Sequence, residues 1–196
     1  MSPRVRRLAL PLAAFLASVI LVGVAVLALI GRPEAPAGSS VGGPFALTAQ
    51  DGRTVTEADL RGAPFLVFFG FTHCPDVCPT TLFEASEVLR AAGPEGDRLR
   101  VLFITVDPER DTPEVLKSYL ASFDPRITGL TGSPEAIAGV LKAYKVYARK
   151  VPTSDGDYTM DHTAMVYLMD SRGAFVNGFD LKRPPDVAAR DLLRFL

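Results

Sequence analysis

Phe65-Leu66-Val67-Phe68-Phe69 (FLVFF, residues 65–69) runs without one polar side chain into Gly70-Phe71-Thr72-His73-Cys74-Pro75-Asp76-Val77-Cys78-Pro79 (residues 70–79). A strand wet on one face alternates apolar and polar residues. One covered on both faces does not, and such continuous runs belong to parallel sheets sandwiched by helices. The residues after the run have a different character. Pro75 disfavours helical geometry at Cys74, whereas Pro79 suits the first turn of a helix. Beyond it Leu82, Ala85, Val88 and Leu89 recur at helical spacing. The stretch therefore reads as a buried strand, a loop bearing Cys74, and a helix with Cys78 or Thr80 near its cap. The end of such a strand is where α/β sheets carry their sites.

On the C-terminal side, Arg100–Val106 is a second buried strand. Thr112-Pro113-Glu114 and Ser133-Pro134-Glu135 each open a helix, with proline where no N–H is needed; the second helix ends near Tyr144. Upstream, Phe45–Thr48 and Thr54–Val55 flank the turn Gln50-Asp51-Gly52 as a hairpin, and Glu57–Leu60 is a helical turn capped by Thr56. Downstream, Val146–Lys150 reads as a short edge strand. Ala164–Met169 and Ala174–Gly178 form a second hairpin, and Asp186–Phe195 an amphipathic helix. Strands alternating with helices predict an α/β domain over residues 44–196. The order implies a thioredoxin-like central mixed β-sheet flanked by helices, with an inserted helical unit.

The first 43 residues have another character. Arg4, Arg6 and Arg7 precede an apolar run from Leu8 to Ile30, long enough for the ~20 residues that a membrane helix needs. Residues 1–30 thus read as a cytoplasmic N-terminus and one N-terminal transmembrane helix, oriented by the arginines before it. The competing reading is a cleaved signal peptide ending at Ala35-Pro36-Ala37. Residues 31–43, rich in Gly, Pro, Ala and Ser, form a flexible tether. Either way the domain is exported; with the segment uncleaved, its expected place is the periplasmic side of a bacterial inner membrane, held by a single-pass anchor. The 196 residues allow one domain and an appendage. A net charge of -1 argues against nucleic acid as a partner.

Chemistry is confined to few residues, because the chain holds 2 Cys and 2 His. A helix start carries partial positive charge and lowers thiol pKa values, so Cys74 and Cys78 are expected close together and easy to ionise. Three readings compete: a structural disulfide, which across so short a loop adds little stability, a catalytic dithiol, and a metal site. His73 adjoins Cys74, and its side chain is expected to point away from the thiols. His162, in Asp161-His162-Thr163, stands just ahead of the strand Ala164–Met169, where thioredoxin-like folds usually place a cis-proline facing the dithiol. Two thiolates and an imidazole form a soft, three-coordinate set suited to Cu(I), open to Cu(II) with a further ligand; zinc also accepts such a set. Asp76 or Asp161 is a candidate extra ligand, and Asp161 alternatively orients His162. The charges of Val106–Glu114 (VDPERDTPE) read equally well as a solvated helix start.

Three segments then carry a family resemblance. GFTHCPDVCPTTL (Gly70–Leu82), VDPERDTPEVLKSYL (Val106–Leu120) and DHTAMVYLMD (Asp161–Asp170) together resemble the Sco/SenC family of copper-binding assembly factors for cytochrome c oxidase. The resemblance implies that Cys74, Cys78 and His162 are copper ligands, that the bound ion is Cu(I) and/or Cu(II), and that Asp107–Thr112 forms a loop near the site. It also implies partners: the copper domain of oxidase subunit II as recipient and a periplasmic copper donor. The alternative within the family is a thiol–disulfide reductase that keeps the recipient's cysteines reduced, with Cys74 and Cys78 as its catalytic pair. Against that, three residues separate the thiols here, where thioredoxin-type reductases use C-x-x-C. A peroxiredoxin-like peroxidase fits poorly, since Phe71 stands where its threonine or serine would precede the reactive Cys74, and Pro75 stands there relative to Cys78.

Overall fold

The computed structural model describes residues 41–196 and, ahead of them, Ser18. The anchor and most of the tether lie outside the described residues. Among the described residues no helix is long and apolar enough to cross a membrane.

Seven strands form one sheet: β1 (Ala46–Ala49), β2 (Thr54–Thr56), β3 (Phe65–Gly70), β4 (Arg100–Thr105), β5 (Ile127–Thr131), β8 (Val166–Met169) and β9 (Phe175–Gly178). Their order is β2-β1-β5-β4-β3-β8-β9. The three central strands run parallel, with β3 and β4 in register from Phe65↔Arg100 to Gly70↔Thr105. The flanking pairs β1–β5 and β3–β8 are antiparallel. Every residue of β3 is buried, as its unbroken apolar run requires. Two further strands, β6 (Ala148–Pro152) and β7 (Tyr158–His162), pair only with each other.

Four helices surround the sheet: α1 (Val77–Ala92), α2 (Pro113–Leu120), α3 (Pro134–Ala143) and α4 (Pro185–Leu193). Helix α1 lies beside α4, α2 against β5, and α3 against β1. The proline-opened helices start where the sequence pattern puts them, with the hydroxyls of Thr112 and Ser133 accepting from the N–H groups of Val115 and Ala136. The mixed sheet with flanking helices is the thioredoxin-like arrangement expected from the order of elements.

Two strands go beyond those the sequence pattern predicts, each for a local reason. β5 (ITGLT) is interrupted by Gly129, which weakens a strand signal. A Cβ at Gly129 would stand 2.6 Å from Leu120 Cδ1, so the helix packing demands the glycine. β7 (YTMDH) ends in two polar residues that read as a loop. The edge strand expected at Val146–Lys150 begins two residues later, because Lys145 turns the chain at φ 58 after α3. His162 accordingly ends a strand, opposite Ala148, rather than lying in the connection ahead of one.

Candidate metal centre

The site is built from the end of β3. At Gly70 an ideal Cβ would lie 2.8 Å from Cys78 Sγ and 2.6 Å from Phe103 Cε2. The missing side chain is therefore the seat on which the Cys78 sulfur rests. From there the chain turns through Thr72-His73-Cys74, with the Cys74 N–H donating to the Phe71 carbonyl at 3.3 Å. Helix α1 starts with Asp76 as N-cap, but the Asp76 side chain caps nothing. The Cys78 N–H, unpaired within the first turn, instead donates to Cys74 Sγ at 3.3 Å. One sulfur thus sits at the mouth of the helix and the other within its first turn.

The two thiols are free and differ in exposure. Cys74 is half-buried, whereas Cys78 is 0% exposed. Burial pushes the Cys78 thiol well above its ordinary value, and the hydrogen bond with Cys74 and the charge of Asp111 push it further. This corrects the expectation that the helix start makes Cys78 easy to ionise: desolvation of a thiolate outweighs the helix dipole when no solvent reaches the sulfur.

His162 comes from β7. Its Nδ1 lies 3.0 Å from the Thr163 carbonyl oxygen, which only accepts, so Nδ1 carries the proton. That leaves the Nε2 lone pair free, and Nε2 faces Cys78 Sγ at 4.0 Å. The imidazole also stands edge-on to Phe71, with centroids 5.8 Å apart at 89°. Phe71 is 2% exposed and serves as both core and wall. His73 is exposed, its Nδ1 3.2 Å from the Thr72 hydroxyl, in keeping with a side chain turned from the thiols. Asp161 does not orient His162. It is exposed and faces Arg149 at 4.0 Å, because alternation along β7 puts it on the opposite face from Met160 and His162.

Phe71, Cys74, Pro75, Val77, Met160 and His162 line an open groove over the two donors nearest solvent. With metal–ligand distances of ~2.0–2.3 Å and tetrahedral to trigonal angles, a sulfur and a nitrogen sharing one ion stand ~3.6–3.8 Å apart. The observed 4.0 Å between Cys78 Sγ and His162 Nε2 is close to that span. Among the described residues no three His, Cys, Asp or Glu side chains are already gathered tightly enough to hold an ion as they stand. Cys74 Sγ, which lines the groove, accepts from the Cys78 N–H at 3.3 Å.

For Asp107 and Asp111, near the site, the reading of a solvated helix start fails, whereas Glu109 and Glu114 are exposed as it expects. Asp107 and Asp111 are 1% and 0% exposed. Tyr158, which bonds Asp107 at 2.9 Å, escapes sequence reasoning along with its strand.

Fold and site together define a thioredoxin-like domain whose paired thiols face an imidazole at the end of a central strand. Residues 33–196 match the family described as SCO1/SenC, and the chain belongs to that family. It is similar to the mitochondrial protein SCO1 homolog 1 of Arabidopsis thaliana, with 43% identity over 139 residues, 70% of this chain and 42% of that protein. The chain thus spans less than half of that relative. It is also similar to a SCO2-like protein of Rickettsia felis, with 37% identity over 191 residues, 90% of this chain and 91% of the relative. Among solved structures, copper-bound ScoI of Bradyrhizobium japonicum superposes with a TM-score of 0.78 at 62% identity, covering 80% of this chain and 99% of that one.

Proposed function

We propose that this protein binds one copper ion through Cys74, Cys78 and His162 and delivers it to the dinuclear copper site of cytochrome c oxidase subunit II. The observation that carries the reading is the tautomer of His162. With Nδ1–H held by the Thr163 carbonyl, the Nε2 lone pair faces a buried thiol at 4.0 Å, and a second thiol lies one hydrogen bond away. Two sulfurs and one imidazole suit Cu(I) and accept Cu(II) with a further ligand. The copper is cargo, so it must also leave. His162 and Cys74 border the groove while Cys78 is sealed, and this supports an order of exchange in which recipient thiolates displace His162 first and Cys78 last. The Arg-flanked apolar segment 8–30 supports a single-pass anchor in the inner membrane with the domain in the periplasm, where a copper donor would load it.

A second reading, a thiol–disulfide reductase, is favoured by the two free thiols lying side by side. Cys74 thiolate would attack a substrate disulfide, and Cys78 would resolve the mixed disulfide, releasing two substrate thiols and leaving Cys74–Cys78 oxidised. The deciding experiment is copper titration of the reduced full-length chain in detergent beside His162→Ala. Tight one-to-one binding that is severely weakened by the substitution supports the carrier. Binding indifferent to His162, or none, leaves the reductase as the better account.

A further inference from the structure

The imidazole and the thiols belong to different pieces of the fold. Cys74 and Cys78 follow the central strand β3, whereas His162 ends a hairpin, β6–β7, that shares no ladder with the main sheet. Something else must fix the hairpin against the body of the domain. Apart from the approach of Cys78 Sγ to His162 Nε2 at 4.0 Å, the side-chain hydrogen bonds and ion pairs that do so among the described residues end on one short loop, residues 107–110. The Tyr158 hydroxyl donates to Asp107 Oδ1 at 2.9 Å. Arg110 Nη1 donates to the Tyr158 carbonyl at 3.0 Å and faces Asp157 at 3.4 Å. The Arg110 guanidinium also lies 3.7 Å above the Tyr158 ring and is itself held by Asp107. On the outer side Lys150 pairs with Glu109 and covers the same ring at 4.5 Å.

The next residue of that loop reaches the opposite way. Asp111 Oδ1 accepts from the Thr72 hydroxyl at 2.6 Å, and Oδ2 accepts from the Thr72 N–H at 3.1 Å. Oδ2 also accepts from the Thr105 hydroxyl at 2.6 Å. Thr105 in turn accepts from the Asp107 N–H at 2.9 Å, closing the loop on itself. Thr72 precedes Cys74 by two residues. No cation neutralises Asp111 among these contacts. A carboxylate so buried is costly unless its oxygens are filled, and here neutral donors fill both.

We infer that residues 107–111 act as a two-armed clamp that sets the distance between the imidazole and the thiols, with Tyr158, Arg110 and Asp111 as positioning residues for copper binding. This rests on the three-donor reading under Proposed function. Tyr158 and His162 share one face of β7, four residues apart. A shift at the tyrosine is therefore carried along about 13 Å of strand to the imidazole. The Asp111 arm works on the other side, holding the turn that presents Cys74.

The test uses the full-length chain in detergent and five variants: Tyr158→Phe, His162→Ala, the two combined, Asp111→Asn, and Asp111→Asn combined with His162→Ala. Tyr158→Phe keeps the ring beneath Arg110 and removes only the bond to Asp107. Copper affinity is read by competition with a chelator, and the thiolate-to-copper absorption band and metal-free Tm are recorded for each. Losing a hydrogen bond to a charged group corresponds to about a tenfold loss or more, so Tyr158→Phe should weaken copper by that factor. In the His162→Ala background it should change affinity less than about twofold, because the positioned group is gone and the hydrogen bond no longer bears on a donor. Asp111→Asn should weaken binding in both backgrounds and shift the band, since its arm acts on the thiols. Wild-type affinity in Tyr158→Phe would overturn the clamp, and so would an equal loss in both backgrounds, the mark of general destabilisation. Equal affinity of wild type and His162→Ala would overturn the three-donor reading itself and the clamp with it.

Discussion

Replacing Gly70 with alanine should strike the fold and the thiol site together. The added methyl would meet Phe103 Cε2 at 2.6 Å, Cys78 Sγ at 2.8 Å and Phe103 Cζ at 3.2 Å. Ordinary contact begins at 3.4 Å, so the sulfur must retreat by 3.4 − 2.8 = 0.6 Å and the ring edge by 3.4 − 2.6 = 0.8 Å. Neither has room, since Phe103 and Cys78 are both 0% exposed. Overpacking of this kind costs about 1–3 kcal/mol. For a domain of this size that lowers Tm by ~2–12 °C, at ~2–4 °C per kcal/mol. The displaced sulfur should also weaken copper binding beyond what the lost stability explains. Gly139→Ala is the control: that glycine is inside α3 with nothing within 4 Å of an added Cβ. It should stabilise by about 0.5–1 kcal/mol and leave copper alone. Thermal melts and chelator competition on both variants decide the matter. A Gly70→Ala protein with unchanged Tm and unchanged copper affinity would refute the seat assigned to Cys78.

Alkylation of the metal-free protein at about pH 8, followed by mass spectrometry, should modify Cys74 well before Cys78, because burial holds the Cys78 thiol protonated far above neutrality. Equal rates would contradict that ordering. Removing the caps by Thr112→Ala or Ser133→Ala should each cost about 1 kcal/mol in denaturant unfolding, with an unchanged m-value. The bond from Arg126 holds the Asp124 carboxyl below its ordinary range. A depressed folded-state pKa gives stability that is complete above the unfolded value and fades as pH falls through the folded one. Wild type should therefore exceed Asp124→Asn in stability at about pH 6, and the gap should close as pH falls below about 4. A gap that persisted at about pH 2 would assign the difference to packing.

The central strands were readable because burial on both faces leaves no ambiguity: FLVFF has no polar residue to satisfy and no other place to go. The proline-opened helices were equally plain, since proline and the cap before it act through local geometry alone. Local signals failed where a tertiary contact set the conformation. Gly129 breaks a strand pattern only because Leu120 needs the space. The β7 segment YTMDH becomes a strand because β6 pairs with it, residue for residue from Ala148↔His162 to Pro152↔Tyr158. For the same reason the candidate donors were legible as residue types, but the partners that hold them were not. Nothing local in DPERD distinguishes Asp111, buried under Thr72 and Thr105, from Glu109 at the surface.

The separation of the donors between two pieces of the fold has a consequence for a carrier. A site wholly embedded in the main sheet would bind tightly and release slowly, since opening it would mean breaking ladder bonds in the core. Here the sulfur of Cys78 is fixed by the packing of β3 and α1 over Gly70, and no small motion frees it. The imidazole ends a two-stranded hairpin whose turn end, at Asp157 and Tyr158, is held to the domain by a few polar contacts. Moving that hairpin costs those contacts and leaves the seven-stranded sheet intact. On the proposed three-donor reading, retention and release would be governed by different structures: the core would hold the two thiols, and the hairpin would set how long the imidazole stays. If the proposed carrier role holds, a recipient that competes for copper would meet the half-exposed Cys74 before the buried Cys78.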